Sequence, residues 1–534
     1  MNRRIPRWSG LAATASVLVL LFGCDYSPPA SLAPTGGSLG PSSLPALDSS
    51  VPDSVAGSFP VQRGQEERTA ILESSIMLIQ RAALQPGGEN FKEAVKKLNQ
   101  YFEGTRHSEY QLDSAAREYL KTQLPPNSLK DLENRNWSLR DTRHLEDCMM
   151  YYKVASRVAG TGEDLEKVRR VFDWVMRQIQ LVPPGSLRSA QLPHVFARPY
   201  DVLLRGMATE ADGFWSERAW VFMVLCRQLG IDTGLITYSK SNTLEPPVSN
   251  SGLNFEIEAA LYGLRRGPKP PVVWICAALI DGRAYLFDAR LGLEIPGPDG
   301  TGVATLEQAL ADPAILERMN LPGLSPYGTS RASLLGSRTK IGILIDSSTG
   351  YFSPKMKLLE RELVGKDRSI LYRDPAEQRD HFAQVLGDRS GGVLLWGLPL
   401  EVETRLFKDQ QYVASIQWSL FLFRPEFPLV YARVKQLRGE QELDEAIEEY
   451  VRFRFAENPR LVNNKKVPIP QDIQDGLDVY ATYYLALAHL ERGQPGPGRA
   501  DVPQHTRALA RAWAEPALLQ HVSLGCQRQP GPDL

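Results

Sequence analysis

The chain is short of the groups on which most enzyme chemistry is built. Seven histidines are spread over 534 residues, and none stands between His194 and His381. Cysteine occurs five times, at Cys24, Cys148, Cys226, Cys276 and Cys526, with no CxxC pair or other ligand spacing, so the sequence predicts no metal and no cofactor. Neither sign of charge is in excess. Lys and Arg number 61 against 62 Asp and Glu, and a net charge of −1 gives no electrostatic footprint for nucleic acid. What is present is an ordinary globular composition, 43% apolar and 23% charged. The chain is long enough for two to four cores.

The apolar stretch Leu11 to Phe22 is 12 residues long, too short for a permanent membrane span, which needs about 20. Arg3, Arg4 and Arg7 precede it and Leu21-Phe22-Gly23-Cys24 follows, so residues 1–23 read as a signal segment. The Leu-Phe-Gly-Cys segment resembles a bacterial lipobox. That resemblance implies acylation of Cys24 and localisation at the cell envelope, anchored in a membrane outside the cytoplasm. A plain secretory signal with an incidental Cys is the competing reading. Residues 24–62, rich in Pro, Ser and Gly with no basic residue before Arg63, are expected to form a flexible tether.

From 63 to 159 the apolar residues recur at steps of three and four, which predicts a helical region. A helix should follow on the stripe Leu165, Val168, Phe172, Val175 and Ile179, ended by Pro183-Pro184. The stretch Gly213-Phe214-Trp215-Ser216-Glu217-Arg218-Ala219-Trp220 then leads into seven consecutive apolar residues, Trp220 to Cys226, and predicts a helix buried on every side. Strands are expected at 235–238, at 255–259 and at 272–280. The last runs into Asp281-Gly282, the strongest two-residue hairpin signal, and on to 283–288. The fold class is therefore α+β, with a central domain over 160–310 in which a buried helix packs on an antiparallel sheet. A mostly helical region over 311–534 should hold a short strand unit near 339–372, and Tyr431 to Tyr450 and Tyr483 to Gly493 are similar to tetratricopeptide helices.

Residues 160–310, about a quarter of the chain, resemble the transglutaminase-like domain, a papain-like fold. That family starts its buried helix with a Cys, opens one strand with a His and ends the next with an Asp. A helix N-terminus stabilises the thiolate, the His exchanges its proton and the Asp orients the ring. Aligned on Cys226-Arg227-Gln228-Leu229-Gly230-Ile231, the resemblance puts Trp215 at the Cys position, Val273 (or Val272, one register along) at the His position and Asp288 at the acid. Two of the three reacting groups are missing. The resemblance then implies a non-catalytic, membrane-anchored binding or scaffolding module with a protein or peptide partner.

Other readings of these residues remain open. Ser216 is a nucleophile candidate or an N-cap, and Asp288 a catalytic acid or a cap for its own loop. A relocated site would draw its thiol from Cys148, Cys226 or Cys276 and its base from His144 or His194, making the chain a cysteine-protease-like or transamidating enzyme.

Overall fold

The computed structural model describes residues 59–82, 89–182, 196–209, 215–239, 272–320, 327–336, 339–365, 368–408, 429–454, 460–462, 465–467 and 471–493. The strand expected at 255–259 and the residues Cys24, His194 and Cys526 lie outside them. Helix α1 is Phe59–Ala82, so it begins inside the stretch expected to be tether up to residue 62. Then come α2 (Glu89–Tyr101), α3 (Ser114–Gln123), α4 (Pro126–Leu132), α5 (Leu139–Ala159) and α6 (Asp164–Gln178). The apolar stripe of α6 is buried as its spacing requires, at Val168, Phe172, Val175 and Ile179. The helix stops at Gln178, ahead of the prolines. There β1 (Gln180–Val182) pairs in parallel with β2 (Met207–Thr209), on either side of α7 (Pro199–Arg205).

Helix α8 (Ser216–Arg227) is buried at every position from Glu217 to Arg227. Phe222 packs between Phe172 of α6 and Phe287 at ring distances of 5.3 and 5.4 Å, and such aromatic pairs add about 0.5–1.5 kcal/mol each beyond burial. Strands β3 (Asp232–Ser239), β4 (Val272–Ile280), β5 (Arg283–Asp288) and β6 (Leu293–Glu294) form an antiparallel run. Ile280 pairs with Arg283 across the expected two-residue turn, where Asp281 and Gly282 take φ of +50° and +71°, as a primed hairpin turn demands.

The chain continues through α9 (Leu306–Ala311), α10 (Pro313–Glu317), α11 (Arg331–Leu334), β7 (Lys340–Asp346), α12 (Pro354–Glu362), α13 (Pro375–Leu386) and β8 (Ser390–Trp396). Helices α14 (Gly397–Lys408), α15 (Leu429–Arg438), α16 (Leu443–Arg454) and α17 (Gln471–Arg492) complete it, with a small pair of strands, β9 (Arg460–Val462) and β10 (Lys465–Val467), before α17. The main sheet has six strands in the order β6-β5-β4-β3-β7-β8.

Two expectations are corrected here. The sheet is mixed, because β7 and β8 run parallel, a pairing that requires the helical crossover through α12 and α13. The domain boundary expected at residue 310 also falls inside one sheet, since β7 pairs along the length of β3 from Leu235↔Leu344 to Ser239↔Lys340. The period of two assigns alternate residues to two cores. Ile236, Ala277, Leu286 and Ile343 enter one, and Leu235, Cys276, Phe287 and Leu344 the other, on the side of α8. The described residues from Val61 onward form one compact unit.

Candidate functional site

Trp215 stands at the N-cap of α8 with φ −124° and ψ 23°, is 8% exposed, and gives no side-chain cap. Ser216 is the first helical residue, so the expectation that it caps the helix does not hold. The polar groups of the first turn are instead Glu217 and Arg218, both buried. Glu217 accepts from the Ala197 N–H (2.7 Å) and from Arg205 Nη2 (3.2 Å), and its charge complements the helix dipole. Arg218 donates to the carbonyls of Ala289 (3.2 Å) and Met176 (2.6 Å), and burial pulls its pKa down to about 10. The helix start is thus fixed against the loop after β5 and the end of α6, with the indole of Trp215 at its N-cap.

Val273, half-buried on β4, packs against the same apolar core as Trp215. Asp288 ends β5 and is 2% exposed. Its Oδ1 accepts the N–H groups of Arg290 (3.0 Å) and Leu291 (2.9 Å), and its Oδ2 accepts the Tyr327 hydroxyl at 2.8 Å. Tyr327 in turn accepts from Trp274 Nε1 at 3.1 Å. The carboxylate therefore ties the loop after β5 to the segment at Tyr327, the capping role that the sequence left as one alternative.

Three thiols are described, Cys148, Cys226 and Cys276, all free and fully buried. Burial pushes each of them up, away from the thiolate that a nucleophile needs. Cys148 does meet His144, one turn earlier on α5, with Sγ 3.5 Å from Nε2 and 4.0 Å from Nδ1. The ring nitrogen nearer this thiol is not free to accept its proton, which leaves only Nδ1, at 4.0 Å, as an acceptor. Nε2 lies 3.0 Å from the Leu371 carbonyl, which only accepts, so that nitrogen carries the proton. Burial also pulls the His144 pKa down to about 4, and a neutral thiol beside a neutral imidazole is an inert pair.

A concave feature lies where α5, α8, the segment after β7 and α14 meet, outside the carboxyl ends of the parallel strands β7 and β8. It holds about 570 Å³ of empty space, part of it open to solvent. Its walls are mostly apolar, with Tyr151, Trp220, Val402 and Leu406 among them, and its charges come from α5, from Arg198 at the start of α7 and from α14. Arg140 Nε lies 3.3 Å from Glu403 Oε1, and Thr349 donates its hydroxyl (2.6 Å) and N–H (3.0 Å) to the same carboxylate. Arg198 binds Asp147 at 2.6 Å and Asp201 at 3.0 Å. Burial pushes Asp147 up to about 7 against the pull of Arg198 and raises Glu403 as well.

Arg143 is different. It is half-buried, its guanidinium carbon is 5.5 Å from the Phe91 ring, and among the described residues it makes no hydrogen bond or ion pair. The sequence reading did not single it out. Its signal was the series Arg140, Arg143, Asp147 and Tyr151 at steps of three and four, which resembles any solvated helix face.

Among the described residues no group of His, Cys, Asp and Glu is placed to hold a metal ion. Comparison with family models, with curated proteins and with solved structures found no match to this chain.

Proposed function

We propose that the protein is a non-catalytic transglutaminase-like module, held at the cell envelope by a lipid on Cys24, that binds or scaffolds a protein or peptide partner. The observation that carries this reading is the state of the three positions at which the family performs acyl transfer. Trp215 offers no nucleophile, Val273 no proton carrier, and Asp288 is taken up by two loop amides and a tyrosine. Acyl transfer needs an activated thiol or hydroxyl within reach of a base, and the described thiols are sealed and protonated.

Mapping by mass spectrometry after treatment of the native protein with an iodoacetamide probe at neutral pH tests the catalytic half of this reading. Cys148, Cys226 and Cys276 should stay unlabelled until denaturant is added. Native labelling of Cys148 that disappears in His144→Gln would overturn it in favour of the relocated enzyme site. The anchor is tested separately by fractionation: Cys24→Ser should move the protein from the membrane pellet to the soluble fraction, and unchanged membrane association would refute lipid anchoring.

A further inference from the structure

We propose that the cleft between α5, α8 and α14 is a binding site for a small monocarboxylate with a short apolar body, and that Arg143 is the residue that recognises the carboxylate. The site is distinct from the degenerate triad positions, and the inference does not depend on how those are read.

The first part of the argument is a count of commitments. Of the four cationic side chains near the cleft, Arg140 is held by Glu403 and Arg198 by Asp147 and Asp201. His144 is uncharged at neutral pH. Among the described residues Arg143 alone of the four keeps all five N–H donors without an acceptor, since the face of Phe91 supplies no lone pair for a hydrogen bond. A guanidinium drawn part-way out of water and left without a partner is costly, and burial together with the nearby Arg198 lowers its pKa accordingly. A planar carboxylate matches the guanidinium fork with two parallel bonds.

The second part concerns charge. The lining itself carries Arg140, Arg143 and Arg198 against Asp147 and Glu403, an excess of one positive charge that a single negative one balances, while the second carboxylate on Arg198, Asp201, lies outside the lining. A phosphate dianion would place its surplus charge beside Asp147 and Glu403, both in the lining. Glu146, one turn along α5, is 4% exposed and makes no ion pair among the described residues, so it does not substitute for the missing partner, and burial favours its neutral form. The third part concerns shape. Trp220, Val224, Pro399, Val402 and Leu406 are apolar, and the cleft has room for only a few water-sized groups, so a short aliphatic body fits where an extended chain does not.

Calorimetric titration of the full chain with butyrate, with its uncharged counterpart butyramide and with inorganic phosphate tests the proposal. Butyrate should bind at least about tenfold more tightly than either of the others. Arg143→Gln should remove that preference by a similar factor, and Arg143→Lys should retain only part of it, because an ammonium is a point charge without the fork. Val402→Trp, which fills the cleft from α14 and leaves Arg143 in place, should abolish butyrate binding as well. This second variant keeps the test meaningful if Arg143→Gln proves unfolded by circular dichroism. Equal affinity for butyrate and butyramide, tighter binding of phosphate, or butyrate binding unchanged in a folded Arg143→Gln would each overturn the assignment. So would the absence of butyrate binding at millimolar concentration.

Discussion

His144 shows at the scale of one residue how this structure converts a reactive group into a structural one. Its Nε2 donates to the Leu371 carbonyl, its ring stands edge-on to Tyr351 at 4.6 Å, and Gly350 lies so close that a Cβ there would fall 2.3 Å from the ring. The ring joins α5 to the segments around residues 350 and 371, and it does so uncharged. Its folded pKa of about 4 is below the ordinary value of 6.5, so the unfolded chain takes up the proton first as pH falls. The stability tied to the neutral ring is fully present above pH 6.5 and is lost as pH falls toward 4. The loss is up to about 3 kcal/mol, less whatever solvent reaches the half-buried ring. Urea unfolding at several pH values should show the steeper acid loss in the native sequence than in His144→Gln, whose amide can still donate to Leu371. Parallel curves for the two proteins would show that His144 is not held neutral by the fold.

At the scale of elements, legibility follows how local the determining signal is. Helix α8 could be read from seven apolar residues in a row, and the β4-β5 hairpin from Asp281-Gly282 between apolar runs, because each signal lies within the element itself. The start of α8 was less legible. Side-chain capping is worth about 1 kcal/mol, and Ser216 invited that reading, but Trp215, buried in the apolar core, holds the N-cap position and the helix begins one residue after it. The cleft could not be found along the sequence at all. Arg140, Arg143 and Asp147 look like a solvated helix face until Glu403 and Thr349, more than 200 residues away, close over them. Missing acceptors, unlike missing histidines, are visible only once the neighbours are in place. The lack of Cys at 215 and of His at 273 was legible for the opposite reason, since a residue that is not Cys or His cannot become one by folding.

The whole molecule is held across the lines at which the sequence suggested dividing it. Arg227 at the end of α8 donates to Asp346 at the end of β7 at 3.0 Å, with both side chains buried, and stacks on the Tyr351 ring at 4.0 Å. Gln228 closes a two-way pair with Ile370, donating to its carbonyl at 2.8 Å and accepting its N–H at 2.9 Å. Asp232 takes a bidentate bond from Arg373, and Lys355 reaches back to Asp141 on α5 at 2.8 Å. Removing one partner of a buried ion pair typically costs 3–5 kcal/mol, of the order of a whole domain's stability. A chain ending at residue 310 would leave Arg227 without Asp346 and expose one edge of β3 over five residue pairs. A fragment of residues 160–310 should therefore fail to fold alone, with no cooperative urea transition by circular dichroism, whereas residues 59–493 should unfold in one transition with tryptophan fluorescence and circular dichroism superimposed. A cooperative, soluble 160–310 fragment would show that β7 and β8 are added to an already complete domain. Its failure would mean that α8 depends on the parallel strands for its own stability, so that the residues around Trp215 and the cleft lined by Arg143 belong to a single folding unit.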